Sequence, residues 1–432
     1  METPGGISYD SLYSRCRAFY GGLKDWRRAN ISIKLPDFLM SAMAMFSLKY
    51  PSLLSLDRGR TQKEELNLKK MFGIKTIPSD SSMRETLDEI SPSDIQPLFG
   101  QIIEEVEKSG KLKPYEVLSG HLYVPMDGVE FFSSTQICCE YCQQKKSRTE
   151  GKATRYSHSM LGAVIVHPEA NEVLPLDCEA INKQDGEKKN DHELVAARRL
   201  WERLWKRYPN WKFLHGGDAL FANGPMIRDI TEAGHSYILN VKPDSHEVLF
   251  AHYNQSEKKY AYAHHSQKVG KENWQLSWCN NLPLNNSAGD VRVNFLILKS
   301  TNNKGVTTTF TWVTNIKIDK KNVIELAQCG RTRWKIENET FNTLKNQGYN
   351  FEHNYGHGKK HLSNLLATLM MLVFLIDQIQ QLANKIFKKV LVAVGSKTRL
   401  WDEFRAAFRF LDVNSFKQLL MILAQSHSLS GP

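Results

Sequence analysis

Apolar residues recur with two different periods along this chain, and each change of period marks a change of organisation. From the start to about residue 115 the pattern is helical. Residues 35–46 have the apolar content of a core helix, with Pro36 in the first turn, where its missing N–H does no harm. A helix over 63–71 is broken by Gly73. Ser79 or Asp80 then caps a second helix through Met83 and Leu87 to Ile90, with Pro92 beyond. The pair has the spacing of a helix-turn-helix. Its second helix, however, carries Asp80, Glu85, Asp88 and Glu89 against Arg84 alone, which suits simple packing better than a major groove.

From residue 120 the pattern becomes α/β. A short apolar strand over 122–126 ends at Asp127, and 160–166 is a nearly continuous apolar strand of the kind buried on both faces. Residues 191–208 form an amphipathic helix with Leu194, Ala197, Trp201, Leu204 and Tyr208 on one stripe. Residues 212–214 are a strand leading through Gly216 and Gly217 to Asp218, and 237–241 another, with a short helix opened by Gly224 and Pro225 between them. Over 243–318 the alternation becomes that of antiparallel strands: Trp274, Leu276 and Trp278, then Val291, Val293, Phe295 and Ile297, then Phe310 and Trp312 after a turn at 301–305. Helix returns from Lys320 onward.

Composition narrows the class. At 432 residues two to four domains or subdomains are expected, and 41% apolar with 24% charged residues is ordinary for a folded chain. A net charge of +11 suits a polyanionic partner and equally suits a basic enzyme with scattered lysines. The longest apolar run, 365–376, is interrupted by Thr368 and closed by Asp377, so it reads as a buried core helix. No secretory signal heads the chain, and only three of the seven cysteines cluster; a reducing, cytoplasmic setting is expected.

Asp127 (VPMDGVEFFSS) and Asp218 (LHGGDALFANGP) both stand at strand ends, where side chains reach a shared crevice, although an Asp before a turn is often only a turn residue. A third carboxylate follows from helical geometry. In RTRWKIENETFNTLK, at about 100° per residue, Glu337 shares a face with Trp334, Phe341 and Leu344, and Glu339 points almost oppositely. That face should pack inward, and a buried carboxylate needs a metal or a cation; Arg333, one turn earlier, is the competing partner.

Other clusters compete. Cys139 and Cys142 have the C-x2-C spacing of a zinc knuckle and His158 lies sixteen residues on, but the fourth ligand is a guess between Cys178 and His167. Residues 143–155 hold five bases and one acid, fitting a DNA backbone or a solvated loop. His353, His357 and His361 are spaced like helical ligands, yet Gly356 and Gly358 would break such a helix, so a loop touching DNA or capping the core is expected. In DGEKKNDHEL, Asp185, Asp191 and Glu193 could supply a carboxylate, but Asp191 reads better as an N-cap with Glu193 in the first turn.

At these residues the chain resembles DDE transposases of bacterial insertion sequences. The branch with a Tyr-Arg-Glu-Lys signature is the nearest: Arg333, Glu337 and Lys345 stand for its last three members, Gly330 replaces the tyrosine, and Lys345 lies one residue further from the glutamate. FSLKYPSLLSLD, MDGVEFFSS, GDALFANGP and RWKIENETFNTLKNQGYNFEHNYGHGKKHL carry the likeness along most of the chain. The resemblance implies an α/β, ribonuclease-H-like core interrupted by an antiparallel β insertion and flanked by helical regions. In residue terms, 1–115 is a helical DNA-binding or assembly region, 116–242 and 319–350 the core, 243–318 the insertion and 351–432 a helical C-terminal region. It further implies Asp127, Asp218 and Glu337 as catalytic ligands of Mg²⁺ or Mn²⁺, with Arg333 and Lys345 contacting phosphate or orienting the site. The expected activity is cut-and-paste transposition on element ends and target DNA, by a homodimer in the DNA complex, without a membrane and in the nucleoid. A metal-dependent nuclease or resolvase without strand transfer, or an inactive DNA-binding derivative, are the alternatives. In related transposases the insertion can hold a flipped base by stacking, a role open to Trp274, Trp278 and Trp312 beside plain core packing.

Overall fold

The computed structural model describes residues 6–27, 31–58, 61–146, 153–183, 189–259, 263–286 and 288–427. Its frame is a mixed α/β arrangement around one large, mostly antiparallel sheet. The strands are β1 (Glu116–Val117), β2 (His121–Ser134), β3 (Gln143–Lys145), β4 (Arg155–Ile165), β5 (Leu174–Ile181), β6 (Lys212–Gly217), β7 (Ser236–Asn240), β8 (Ala263–Val269), β9 (Glu272–Pro283), β10 (Arg292–Thr301) and β11 (Thr307–Thr314). Across the sheet they run β3-β4-β2-β6-β7-β11-β10-β9-β8, with β1 on β2 and β5 on β4. Among the described residues only β2, β6 and β7 are parallel neighbours. The β8–β11 strands join the rest through an antiparallel seam in which Leu239 of β7 faces Val313 of β11.

Two differences from the sequence expectation bear on the site. The strand expected to end at Asp127 continues to Ser134, because beyond Met126 it pairs with β4 rather than β6. β5 was not anticipated. Pro175 and Asp177 hide its alternation, and the register slips beside Pro175, where a proline that cannot donate is tolerated. Asp177 is buried there and is held by Arg203 at 2.8 Å and Arg207 at 3.2 Å, which fastens the helix Lys189–Arg207 across β5.

The helical regions pack as one body. Leu35–Ser47 is buried on nearly every side, and Leu362–Ala383 is buried from Leu362 through Gln380. The latter is long and apolar enough to cross a membrane, but its apolar window lies wholly inside the protein, so it is a core helix. The ends of the chain interlock: Asn67 Nδ2 donates to the Phe408 and Leu411 carbonyls, Lys70 pairs with Asp412, and Asp10 accepts the Phe416 N–H. The acidic helix Asp80–Leu87 is also spoken for, since the following Asp88 accepts the backbone N–H groups of Lys359, Lys360, His361 and Leu362, and Glu89 pairs with Lys360. Its charge serves packing within the chain. Trp274, Trp278 and Trp312 are buried as well, so they are core residues and not exposed stacking platforms.

Candidate active site

Sheet register brings the two aspartates together. Parallel pairing of β2 with β6 ends at Pro125 opposite Gly216; Asp127 and Asp218 each stand two residues further on, at matching positions on neighbouring chains. Side chains two residues apart point to the same face, and neighbouring strands lie about 4.8 Å apart, so both carboxylates look into one space. That space is a cleft of about 920 Å³ lined by Asp127, Asp218, Glu193 and Glu130 together with Lys145, Lys146, Arg155 and Lys183, of which Arg155 pairs with Glu130. Residues 147–152 of the basic segment lie outside the described residues.

Asp127 is the more constrained aspartate. Its Oδ1 accepts the Gly128 N–H at 3.0 Å and its Oδ2 accepts Arg333 Nη1 at 3.1 Å. Burial raises this carboxyl above the usual carboxylate range; the Arg333 guanidinium opposes the rise and neighbouring Asp218 adds to it. The Asp218 Oδ1 accepts the Leu220 N–H, which shapes the turn that leaves β6.

Glu337 does not occupy the buried face that a regular helix would give it. The residues Ile336–Phe341 form a π-turn, in which the Asn342 N–H donates to the Glu337 carbonyl five residues back. The extra residue per turn breaks the 100° spacing on which the face was reckoned. Ile336, Thr340, Phe341 and Leu344 turn inward, whereas Glu337 is exposed and Trp334 is 45% exposed. Glu339 is half-buried. Arg333 reaches Asp127 instead of Glu337, so the expected competing salt bridge is absent. The turn is nevertheless fixed beside the aspartates. A Cβ on Gly162, the β4 partner of Asp127, would stand 3.0 Å from Phe341 Cζ, and Lys335 donates to the carbonyls of His167 and Pro168. Lys345 faces elsewhere and pairs with Glu352 at 2.7 Å.

Gly330 has no room for a side chain. A Cβ at that position would lie 2.5 Å from the Trp312 ring, so β11 occupies the space a larger side chain would need. Sequence reasoning underrated Glu193. The helix Lys189–Arg207 begins two residues before Asp191, so Asp191 is not its N-cap and Glu193 lies beyond the first turn; a Cβ on Gly128 would meet Glu193 Oε1 at 3.1 Å, and Glu193 lines the same cleft as Asp127. The signal was available in the acidic run preceding the helix. Asp185 and the Asp191 side chain lie outside the described residues. A second group, Cys139, Cys142 and His158, does gather; its fourth member is His357, not Cys178 or His167.

A family model for the transposase DDE domain matches residues 134–375, more than half of the chain. This chain is a DDE transposase. The match takes in Asp218 and Glu337 and begins just after Asp127. No curated protein matches the transposase. Members of its family act on DNA with divalent metal ions, and the donors fit that requirement: hard carboxylate oxygens, one of them already held in an environment that disfavours its charge.

Proposed function

We propose that this transposase cuts and joins DNA at the ends of an insertion sequence, with Asp127, Asp218 and Glu337 as the ligands of Mg²⁺ or Mn²⁺. The matched register of Asp127 and Asp218 carries the reading, because it gives two carboxylates one shared focus in a cleft that Lys145, Lys146, Arg155 and Lys183 also line. The order β5-β4-β2-β6-β7, with β2, β6 and β7 parallel and a helix crossing between β5 and β6, supports a ribonuclease-H-like core. In this reading β8–β11 are an insertion placed before the glutamate helix.

A bound divalent ion would supply Lewis acidity for in-line displacement at phosphorus by water or a 3′-hydroxyl. Arg333 holds Asp127 in the orientation that faces the cleft and offsets charge when phosphate arrives. Lys145, Lys146 and Arg155 line the wall along which a DNA backbone would run. Glu337, exposed on a π-turn anchored by Lys335, is free to close on the aspartates from the open side. The joining of two element ends requires two such sites, which supports a homodimer on DNA.

The test uses duplexes carrying the inverted repeats that flank the gene. Incubation with Mg²⁺ should give 3′-hydroxyl ends that join to a target plasmid, EDTA should stop both steps, and Asp218→Asn should lose both while still binding DNA. Cleavage without joining would reduce the activity to that of a nuclease or resolvase. An Asp218→Asn protein that cuts like the parent would overturn the proposal.

A further inference from the structure

The C-x2-C pair is completed in space by His158, sixteen residues on, and by His357, which sequence spacing does not relate to it. Cys139 and Cys142 lie in the loop after β2, His158 on β4 opposite Phe132, and His357 in the segment between the glutamate helix and Leu362–Ala383. Cys142 and His357 are 215 residues apart. Their ligand atoms lie within 4.8 Å of one another. The two Sγ atoms are 3.8 Å apart; His158 Nε2 stands 3.3 Å from Cys139 Sγ and 3.4 Å from Cys142 Sγ, and His357 Nε2 is 3.5 Å from Cys142 Sγ.

Those separations are the edges of a tetrahedron of a particular size. With Zn–S near 2.3 Å and Zn–N near 2.05 Å, tetrahedral angles put sulfurs about 3.8 Å apart and sulfur and nitrogen about 3.6 Å apart. The loop has the matching local form: the Cys139 N–H points at Cys142 Sγ at 3.4 Å and the Cys142 N–H at the Cys139 carbonyl at 3.4 Å. Cys142, His158 and His357 are buried, and Phe131 and Phe132 pack against the imidazoles, with ring centres 6.0 Å from His158 and 4.5 Å from His357 respectively. Two thiolates and two imidazoles reject Mg²⁺ and Ca²⁺ and suit Zn²⁺.

We infer that Cys139, Cys142, His158 and His357 bind one Zn²⁺ in a closed, structural Cys₂His₂ site, separate from the carboxylate cleft. All four positions are filled by the protein, leaving none for water or substrate. The site joins three parts of the chain. It fixes the loop that leads into β3, and hence the wall bearing Lys145 and Lys146, to β4 and to the segment that follows the glutamate helix. This holds whether or not the cleft catalyses strand transfer, because the metal content is read without any DNA.

The test is metal analysis of the purified full-length transposase, prepared without chelator. About one zinc per chain is expected by mass spectrometry, and it should be released as an organomercurial bonds to the sulfurs of Cys139 and Cys142 and displaces it. Cys142→Ser and His357→Ala should each fall below a tenth of that value, while Cys178→Ser and His167→Ala retain it. Replacement by Co²⁺ should give the visible bands of a tetrahedral thiolate site in the parent; because this reads the parent alone, a variant that fails to fold does not blunt the test. A folded, zinc-free parent that takes up no Co²⁺ would overturn the site, as would a Cys139–Cys142 disulfide in the freshly purified protein. Undiminished zinc in Cys142→Ser would do the same.

Discussion

Asp377 offers the sharpest test of what holds the helical body together. It is buried in Leu362–Ala383, and its two oxygens accept three donors: Tyr9 Oη at 2.7 Å, Tyr349 Oη at 2.6 Å and Lys49 Nζ at 2.7 Å. Lys49 is buried too, with its ammonium 4.1 Å above the Tyr349 ring and 4.2 Å above Trp401, and burial lowers its pKa from the usual lysine value. Asp377→Asn keeps the volume but leaves that ammonium without a counter-charge. Removing one partner of a buried pair costs about 3–5 kcal/mol. At about 2.1 cal/mol/K per residue, a 432-residue chain has a melting entropy near 0.9 kcal/mol/K, so Tm should fall by about 3–6 °C if the chain melts as one unit. Thermal unfolding followed by circular dichroism reads the shift directly. The double variant Lys49→Met/Asp377→Asn should recover part of the loss, since the stranded charge is gone. A fall of less than about 1 °C in Asp377→Asn, or a double variant no more stable than the single one, would refute this account.

Three further outcomes follow from the site. Glu337→Gln should lower cleavage by several orders of magnitude, each ~1.4 kcal/mol of lost transition-state stabilisation being about tenfold, with DNA binding kept and Glu339→Gln within a few-fold of the parent. If Glu193→Gln collapses cleavage and Glu337→Gln does not, the third ligand is Glu193. For Asp127 the folded pKa lies above the unfolded one, so holding the carboxylate ionised opposes folding; that penalty is absent below the unfolded value of about 3.9 and complete once pH has risen through the folded value. Asp127→Asn should therefore gain Tm on the parent as pH rises from about 4 to 7, and a constant difference over that range would count against the burial argument. Gly330→Ala drives a methyl to within 2.5 Å of Trp312 and should cost about 1–3 kcal/mol, visible as a lower denaturant midpoint; an unchanged midpoint would show that β11 yields easily.

What sequence could convey depended on whether the decisive fact was local. Capping residues and apolar period placed Leu35–Ser47 and Gln62–Phe72 within a residue and the start of Asp80–Leu87 likewise, its end falling three residues short of Ile90, because those signals lie inside each helix. Asp127 and Asp218 could be singled out after apolar strand segments, although β2 runs on past Asp127, but their matched register could not, since it belongs to the pairing of two distant segments. The inward face assigned to Glu337 failed because a π-turn changes the angle per residue without leaving any mark in composition. Cys139, Cys142 and His158 were within reach of spacing rules, whereas His357 joins them only through the fold. β5 escaped notice since its one buried acid, Asp177, is satisfied by Arg203 and Arg207 on a helix not yet made when β5 is read.

The interlock between the two ends of the chain bears on synthesis. Leu35–Ser47 leaves the ribosome early, yet its neighbours include Leu362–Ala383, and Asn67 waits for carbonyls at Phe408 and Leu411. The first helices must therefore remain without their final apolar partners for most of translation, a period in which exposed core surface invites aggregation or capture by chaperones. A product truncated shortly after Phe351 would carry the aspartates and the π-turn but would lack Leu362–Ala383 and Tyr355, whose ring packs against Phe46. The N-terminal helices thus reach their final packing only once residues 362–416 have been made.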